Sequence, residues 1–182
     1  MVKLLICKGN KSIVEVADAK PGDSQGIASV QKSGWLATYP SVDVGLTRED
    51  IEAHDFDSPK KLQQWEAKIC NRGETKRIWV ARRHVKIIGF SVACKGNEKN
   101  ELEAIYVLPE YHGRGVGGAL MNKALSWLGT KMDIAVWLFS HNEKAINFYR
   151  KYHFRKSGKI STWPVNGKEI PELEMIKSVG RK

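Results

Sequence analysis

The chain has 182 residues, 42% hydrophobic and 27% charged, a balance normal for one soluble globular domain with a sizeable core. Its apolar runs are short, 133-DIAVWLF-139 among them, and 1-MVKLLICKGNKS-12 lacks a full h-region and cleavage site, so neither a membrane span nor export is expected. The net charge of +10 suggests an anionic partner, but the basic residues are spread along the chain, which weakens a nucleic-acid reading.

Residues 13-IVEVAD-18 alternate and read as a first strand. Helical periodicity follows in 22-GDSQGIASVQKSGWLATY-39, with Ile27, Val30, Trp35 and Leu36 on the apolar face. Thr47 with Asp50 resembles a capping box for a short helix at 48–54. Ser58-Pro59 starts a helix through Leu62, Trp65 and Ile69 that stops near Asn71-Arg72-Gly73. The pattern then changes. Residues 76-KRIWVARR-83 and 86-KIIGFSVACKG-96 read as strands joined by a tight turn at His84-Val85, and 101-ELEAIYVL-108 as the next strand. A glycine-rich loop leads into a helix, 116-VGGALMNKALSWLG-129, ended by Gly129. A buried strand, 134-IAVWLF-139, precedes a helix at 143–153, and 154–177 reads as a hairpin around 164-PVNG-167.

No repeat or linker divides the chain, so one domain over 1–182 is expected, with its core at about 13–177. Cys7, Cys70 and Cys94 follow no C-x-x-C spacing, and reduced thiols in a cytoplasmic protein fit them best. The histidines at 54, 84, 112, 141 and 153 show no metal spacing, so no metal is expected.

Gly113, Gly115 and Gly118 match the dinucleotide pattern G-x-G-x-x-G. In that motif, however, the first glycine follows its strand almost directly. Here Leu108-Pro109-Glu110-Tyr111-His112 intervene, Asp133 stands before its strand instead of after it, and only one β-α-β unit is visible. A Walker A loop fails because 113-GRGVGGAL-120 has no Gly-Lys-Ser/Thr. Four glycines within 113–118 cost backbone entropy at a helix start, so the missing side chains must serve some purpose.

Residues 112-HGRGVG-117 resemble the Gln/Arg-x-x-Gly-x-Gly/Ala pyrophosphate loop of the GNAT superfamily of N-acetyltransferases. The resemblance extends to 105-IYVLPEYHGRGVGGALM-121, which is similar to the superfamily's strand, turn and loop. It continues in 142-NEKAINFYRKYHF-154, similar to Asn-x-x-Ala-x-x-x-Tyr-x-x-x-Gly-Phe, and in the Trp-x-x-x-Tyr of 35-WLATY-39. His112 replaces the usual Gln or Arg, and His153 the usual Gly, a position where a positive φ suits His less well.

The resemblance implies an α+β fold: a central, mixed, mostly antiparallel sheet splayed between its fourth and fifth strands, with helices on both faces. It implies acetyl-CoA as co-substrate, no metal, and direct attack of a primary amine on the thioester. The backbone of Ile105, Tyr106 and Val107 would pair with the pantetheine arm, Val107 orienting the thioester carbonyl. His112, Gly113, Arg114, Gly115, Val116, Gly117 and Gly118 would hold the pyrophosphate, Arg114 adding charge. Asn142 would bond the cofactor arm or cap its helix. Tyr149 would protonate the leaving thiolate, or serve only to pack beside Ala145, Phe148 and Tyr152. Glu101 and Glu103 share a strand face by period, and the base would come from them, Glu103 standing nearer the splay. The acceptor, a small-molecule or peptide amine, would be shaped by 22–72 and 154–177, with Trp35, Tyr39 and Trp163 along its path. A non-catalytic CoA-binding module of the same fold is the alternative, a nucleic-acid binder a third reading. A homodimer is compatible with the resemblance.

Overall fold

Alternating and near-continuous apolar segments supply the strands: β1 (Lys3–Ile6), β2 (Ile13–Asp18), β3 (Lys76–Arg83), β4 (Lys86–Cys94), β5 (Asn100–Val107), β6 (Ile134–Phe139), β7 (Arg155–Val165) and β8 (Lys168–Lys177). The helices are α1 (Ser24–Thr38), α2 (Arg48–Glu52), α3 (Pro59–Cys70), α4 (Val116–Leu128) and α5 (Glu143–Arg150). This computed structural model describes residues 3–6, 13–71 and 73–179, so Cys7 and Arg72 lie outside it. The strands form one sheet in the order β1-β2-β3-β4-β5-β6-β8-β7. Every neighbouring pair is antiparallel except β5 and β6, which run parallel.

Local signals account for the element ends. Thr47 Oγ1 accepts from the Asp50 N–H at 3.2 Å, and Asp50 Oδ2 from the Thr47 N–H at 2.7 Å, a complete capping box. Ser58 accepts from the Lys61 N–H with Pro59 in the first helical turn. Asn166 and Gly167, at φ 47° and 80°, turn β7 into β8. Two ends differ from expectation. β1 extends the sheet beyond the expected first strand. α5 stops at Arg150, and His153 takes φ 67°, a strained conformation that feeds Phe154 into the core at 0% exposure.

Neighbouring residues of β4 show how the layers stack. Phe90 packs edge-on against Trp65 of α3 and stacks on Tyr106, ring centroids 5.5 Å apart in both cases. Gly89, pointing the other way, leaves room for Leu120 of α4: a Cβ there would stand 3.2 Å from Leu120 Cδ1. Helices α1 and α3 therefore cover one face and α4 the other. A second, smaller core joins Trp35, Tyr39, Leu46, Ile51, Phe56, Phe139, Val165 and Ile170 at one end of the sheet.

The sheet opens between β5 and β6, where only Asn100↔Ile134 and Glu101↔Ala135 pair. Counting β1, this splay falls between the fifth and sixth strands, which are the fourth and fifth of the sequence reading. The Asn100 N–H donates to Asp133 O at 2.8 Å, and Lys99 ion-pairs with Glu174 of β8, so the closed end is clamped across β6. β5 is bulged at Glu103, since Val92 faces Ala104 but Ala93 faces Leu102.

Leu120 is fully buried between α4 and the sheet. Leu120→Ala is expected to lower unfolding stability by about 2–5 kcal/mol, read as a lower urea midpoint at unchanged slope.

Candidate active site

Beyond Glu101, β5 has no strand partner on its β6 side. On the other side the Leu108 N–H donates to Ile88 O at 2.9 Å, while Tyr106 faces Phe90 and Ile105 faces Ser91. Antiparallel alternation then directs the N–H and C=O of Ile105 and Val107 into the gap and those of Tyr106 toward β4. Tyr106 departs from the sequence expectation for this reason: its backbone belongs to the β4 ladder and only its side chain can serve a ligand.

The glycine loop lies at the wide end of this gap. Gly113 and Gly115 adopt φ 72° and 85°, left-handed conformations that a side chain resists. Gly115 is the N-cap of α4 and no side chain caps the helix. The first helical bond runs from the Ala119 N–H to Gly115 O, leaving the N–H groups of Val116, Gly117 and Gly118 without an intrahelical acceptor. An uncapped helix start with exposed glycines before it is suited to a phosphate. His112 is the exception. Its N–H donates to Pro109 O at 3.1 Å, and its ring Nε2 lies 2.9 Å from Val107 O. The residue replacing Gln or Arg thus latches the loop to β5, and its backbone is not available to an anion. The Arg114 guanidinium sits 5.7 Å from the Tyr111 ring centroid.

On the α1/α3 side of the gap lies a cavity of about 910 Å³. Trp35 Nε1–H donates to the Tyr106 hydroxyl at 2.9 Å, and the Tyr39 and Tyr106 hydroxyls are 3.2 Å apart. Burial pushes both tyrosines up, so both remain neutral phenols at ordinary pH. Gly34 admits the Tyr106 ring, since a Cβ on Gly34 would fall 2.9 Å from Tyr106 Cδ1.

Glu101 and Glu103 both line the cavity, in different states. Glu103 holds Lys76 at 2.7 Å and accepts from the Cys94 thiol at 2.8 Å. Burial, with Glu103 beside it, pushes that thiol up to about 12, so Cys94 is no nucleophile. Glu101 has no hydrogen-bond or ion-pair partner among the described residues. Burial first, then the Glu103 charge, raises its pKa above the usual carboxylate value. Glu103 is thus tied to Lys76 and Cys94, while the Glu101 side chain has no such partner. The sequence reading missed Glu172 of β8, which also lines the cavity and is pushed up by burial and by Glu101. Its signal lay in 168-KEIPELEMIK-177, where alternation places Glu172 on the face shared by Ile170 and Ile176.

Tyr149 packs at the other side of the gap, edge-on to Phe148 and Phe154, and does not line the cavity. Burial, with Tyr106 nearby, pushes its hydroxyl well up, and no protein group among the described residues hydrogen-bonds it. Asn142 Oδ1 accepts from the Ala145 N–H at 3.0 Å and so caps α5. Trp35 and Tyr39 are cavity walls, as is Trp163. Among the described residues no three His, Cys, Asp or Glu side chains gather as a metal site, and no helix is long and apolar enough to cross a membrane.

Residues 74–156 match the profile of the acetyltransferase (GNAT) domain. An uncharacterized N-acetyltransferase of Mycobacterium tuberculosis is 35% identical over 86 residues, 46% of this chain and 55% of that protein. A probable N-acetyltransferase of the same organism is 25% identical over 170 residues, covering 89% and 92% of the two chains. Among solved structures, the PaiA N-acetyltransferase of Thermoplasma acidophilum in complex with coenzyme A superposes with TM-score 0.73 at 20% identity, over 91% of this chain and 98% of that one. The chain spans about half the length of the first curated relatives it matches.

Gly→Ala inside a helix ordinarily stabilises by about 0.5–1 kcal/mol. At Gly34 the sign is expected to reverse, with Gly34→Ala costing about 1–3 kcal/mol in a urea titration as the new methyl displaces Tyr106.

Proposed function

We propose that the chain is an acetyltransferase of the GNAT superfamily, a reading supported by its match to that domain over 74–156, and that it transfers an acetyl group from acetyl-CoA to a primary amine. The observation that carries this reading is the open edge of β5. It runs from an uncapped helix start to an aromatic cavity that holds an unpaired carboxylate. The N–H groups of Val116, Gly117 and Gly118 hold the pyrophosphate, aided by the helix dipole. Ile105 and Val107 offer backbone groups to the amides of the pantetheine arm, as a sheet edge does to an added strand. His112 keeps the Val107 carbonyl in place through its ring.

Acetyl-CoA supplies an activated thioester, so the protein need only place the amine and move protons. Glu101 accepts the proton that the attacking ammonium must lose, directly or through water. Its raised pKa makes it a stronger base than an exposed glutamate. As the C–S bond breaks, Tyr149 supplies a proton to the departing sulfur and regains one from the nitrogen of the newly acylated amine, so that its hydroxyl, kept protonated by burial, is restored. The neutral phenols of Tyr39 and Tyr106 line the cavity that holds Glu101, and both feel Tyr149 electrostatically.

Acetyl-CoA turnover over a panel of amines, read as free thiol, tests the proposal. CoA binding with no acetylation of any amine would leave a binding module instead. Glu101→Gln is expected to lower kcat/KM by about 10²–10⁴-fold. The base works only when ionised, so wild-type kcat/KM should fall as pH drops through a point above the ordinary carboxylate range, and that acid limb should vanish in Glu101→Gln. Tyr149→Phe should reduce kcat by a similar order and leave CoA affinity unchanged by calorimetry. A variant with full kcat would remove Tyr149 from the mechanism.

A further inference from the structure

The reading above leaves one group in the cavity without a task. Four carboxylates line the space: Asp55, Glu101, Glu103 and Glu172. Asp55 accepts two hydrogen bonds from Ser58, and Glu103 is neutralised by Lys76. Glu101 is the proposed base. Glu172 has no hydrogen-bond or ion-pair partner among the described residues, although it is half-buried and feels the charge of Glu101. Two half-buried carboxylates with no bonded cation, in a chain of net charge +10, are stabilised as anions by a cation that enters the cavity. The lysines at the cavity, Lys61 and Lys68, stand on α3, and Lys68 lies over the Trp65 ring at 5.0 Å.

The surroundings of Glu172 indicate what that cation is attached to. Its cross-strand neighbours are Phe139 on β6 and Ser161 on β7. Trp163, two residues along from Ser161, projects from the same face of the sheet at the cavity rim. It is 51% exposed, a large aromatic surface that the fold leaves in solvent. With Trp35, Tyr39 and Trp137 it supplies aromatic walls of the cavity that Glu172 and Glu101 also line. Aromatic faces suit methylene groups and ammonium ions alike, through contact and cation–π attraction.

We propose that the acceptor is a linear aliphatic diamine, bound with its second, still protonated amine on Glu172 beside Trp163 and its methylenes along the aromatic walls. The first amine loses its proton to Glu101 and attacks, as above, so this inference rests on the acetyl-transfer reading. Glu172 acts on specificity and not on the reacting atoms. Its negative charge also favours the doubly protonated acceptor over a monoamine of equal length.

The test uses the full chain with acetyl-CoA and compares α,ω-diaminoalkanes with alkylamines of matched length. Diamines are expected to show kcat/KM at least about tenfold higher, mainly through KM, the worth of one desolvated charge pair. Glu172→Gln should collapse that diamine-to-monoamine ratio toward unity, and Trp163→Ala should reduce it. Equal kcat/KM for the two series, or a ratio that survives Glu172→Gln, overturns the proposal. If no amine is acetylated, the parent reading and the acceptor role fall together, and calorimetric titration of the CoA-loaded chain with a diaminoalkane tests the Glu172 site alone: binding lost in Glu172→Gln upholds that site, and absence of binding in the unaltered chain overturns it.

Discussion

Backbone pairing between β5 and β6 ends after Glu101↔Ala135, and the rest of the site depends on the polar groups this leaves over. In a closed sheet the N–H and C=O of Ile105 and Val107 would bond to β6. The Val107 carbonyl is met by the His112 ring instead, and the other three groups, unpaired and fully buried, would cost about 1–3 kcal/mol each. The structure tolerates them because the gap is open enough for residues 105–107 to stay half-buried. The closed end is clamped by Lys99–Glu174 and by Asn100 on Asp133. The open end is propped by rings, Phe139 against Tyr39 and Trp35. Polar clamps at one end and aromatic spacers at the other make the gap part of the fold.

Charge is sorted along the same line. The chain is basic overall, which suits a phosphate-bearing co-substrate, yet the pocket beside the gap holds uncompensated acid. The two glutamates of β5 have different surroundings. The bulge at Glu103 brings it to Lys76 and Cys94, whereas Glu101 is left with its proton affinity raised.

Features written in adjacent residues were legible. The Thr47 capping box, Ser58-Pro59, the Asn166-Gly167 turn and the glycine loop all carry their physics locally, and the structure contains each of them. The motifs along 105–154 sufficed to place the splay and the helix start. What escaped depends on pairing between distant strands. The side of β5 on which the Tyr106 backbone lies follows from its register with β4, and Glu172 enters the cavity only because β8 lies beside β6. The ring of His112 was unforeseen because a loop residue's reach back to Val107 leaves no periodic trace.

In the proposed reaction β5 would serve two ligands by two different means: its edge, through the backbone of Ile105 and Val107, and its face, through the side chain of Tyr106. Edge recognition is blind to side-chain identity, so the donor half can stay constant while the sequence around it drifts. The cavity walls come from elsewhere, Trp35 and Tyr39 on one flank and Trp163 and Glu172 on the other. The shared GNAT segment, 74–156, contains the donor edge and excludes all four of these wall residues. If the proposed reaction holds, a lineage built this way can change its acceptor by rewriting the two flanks, with the donor edge inherited intact.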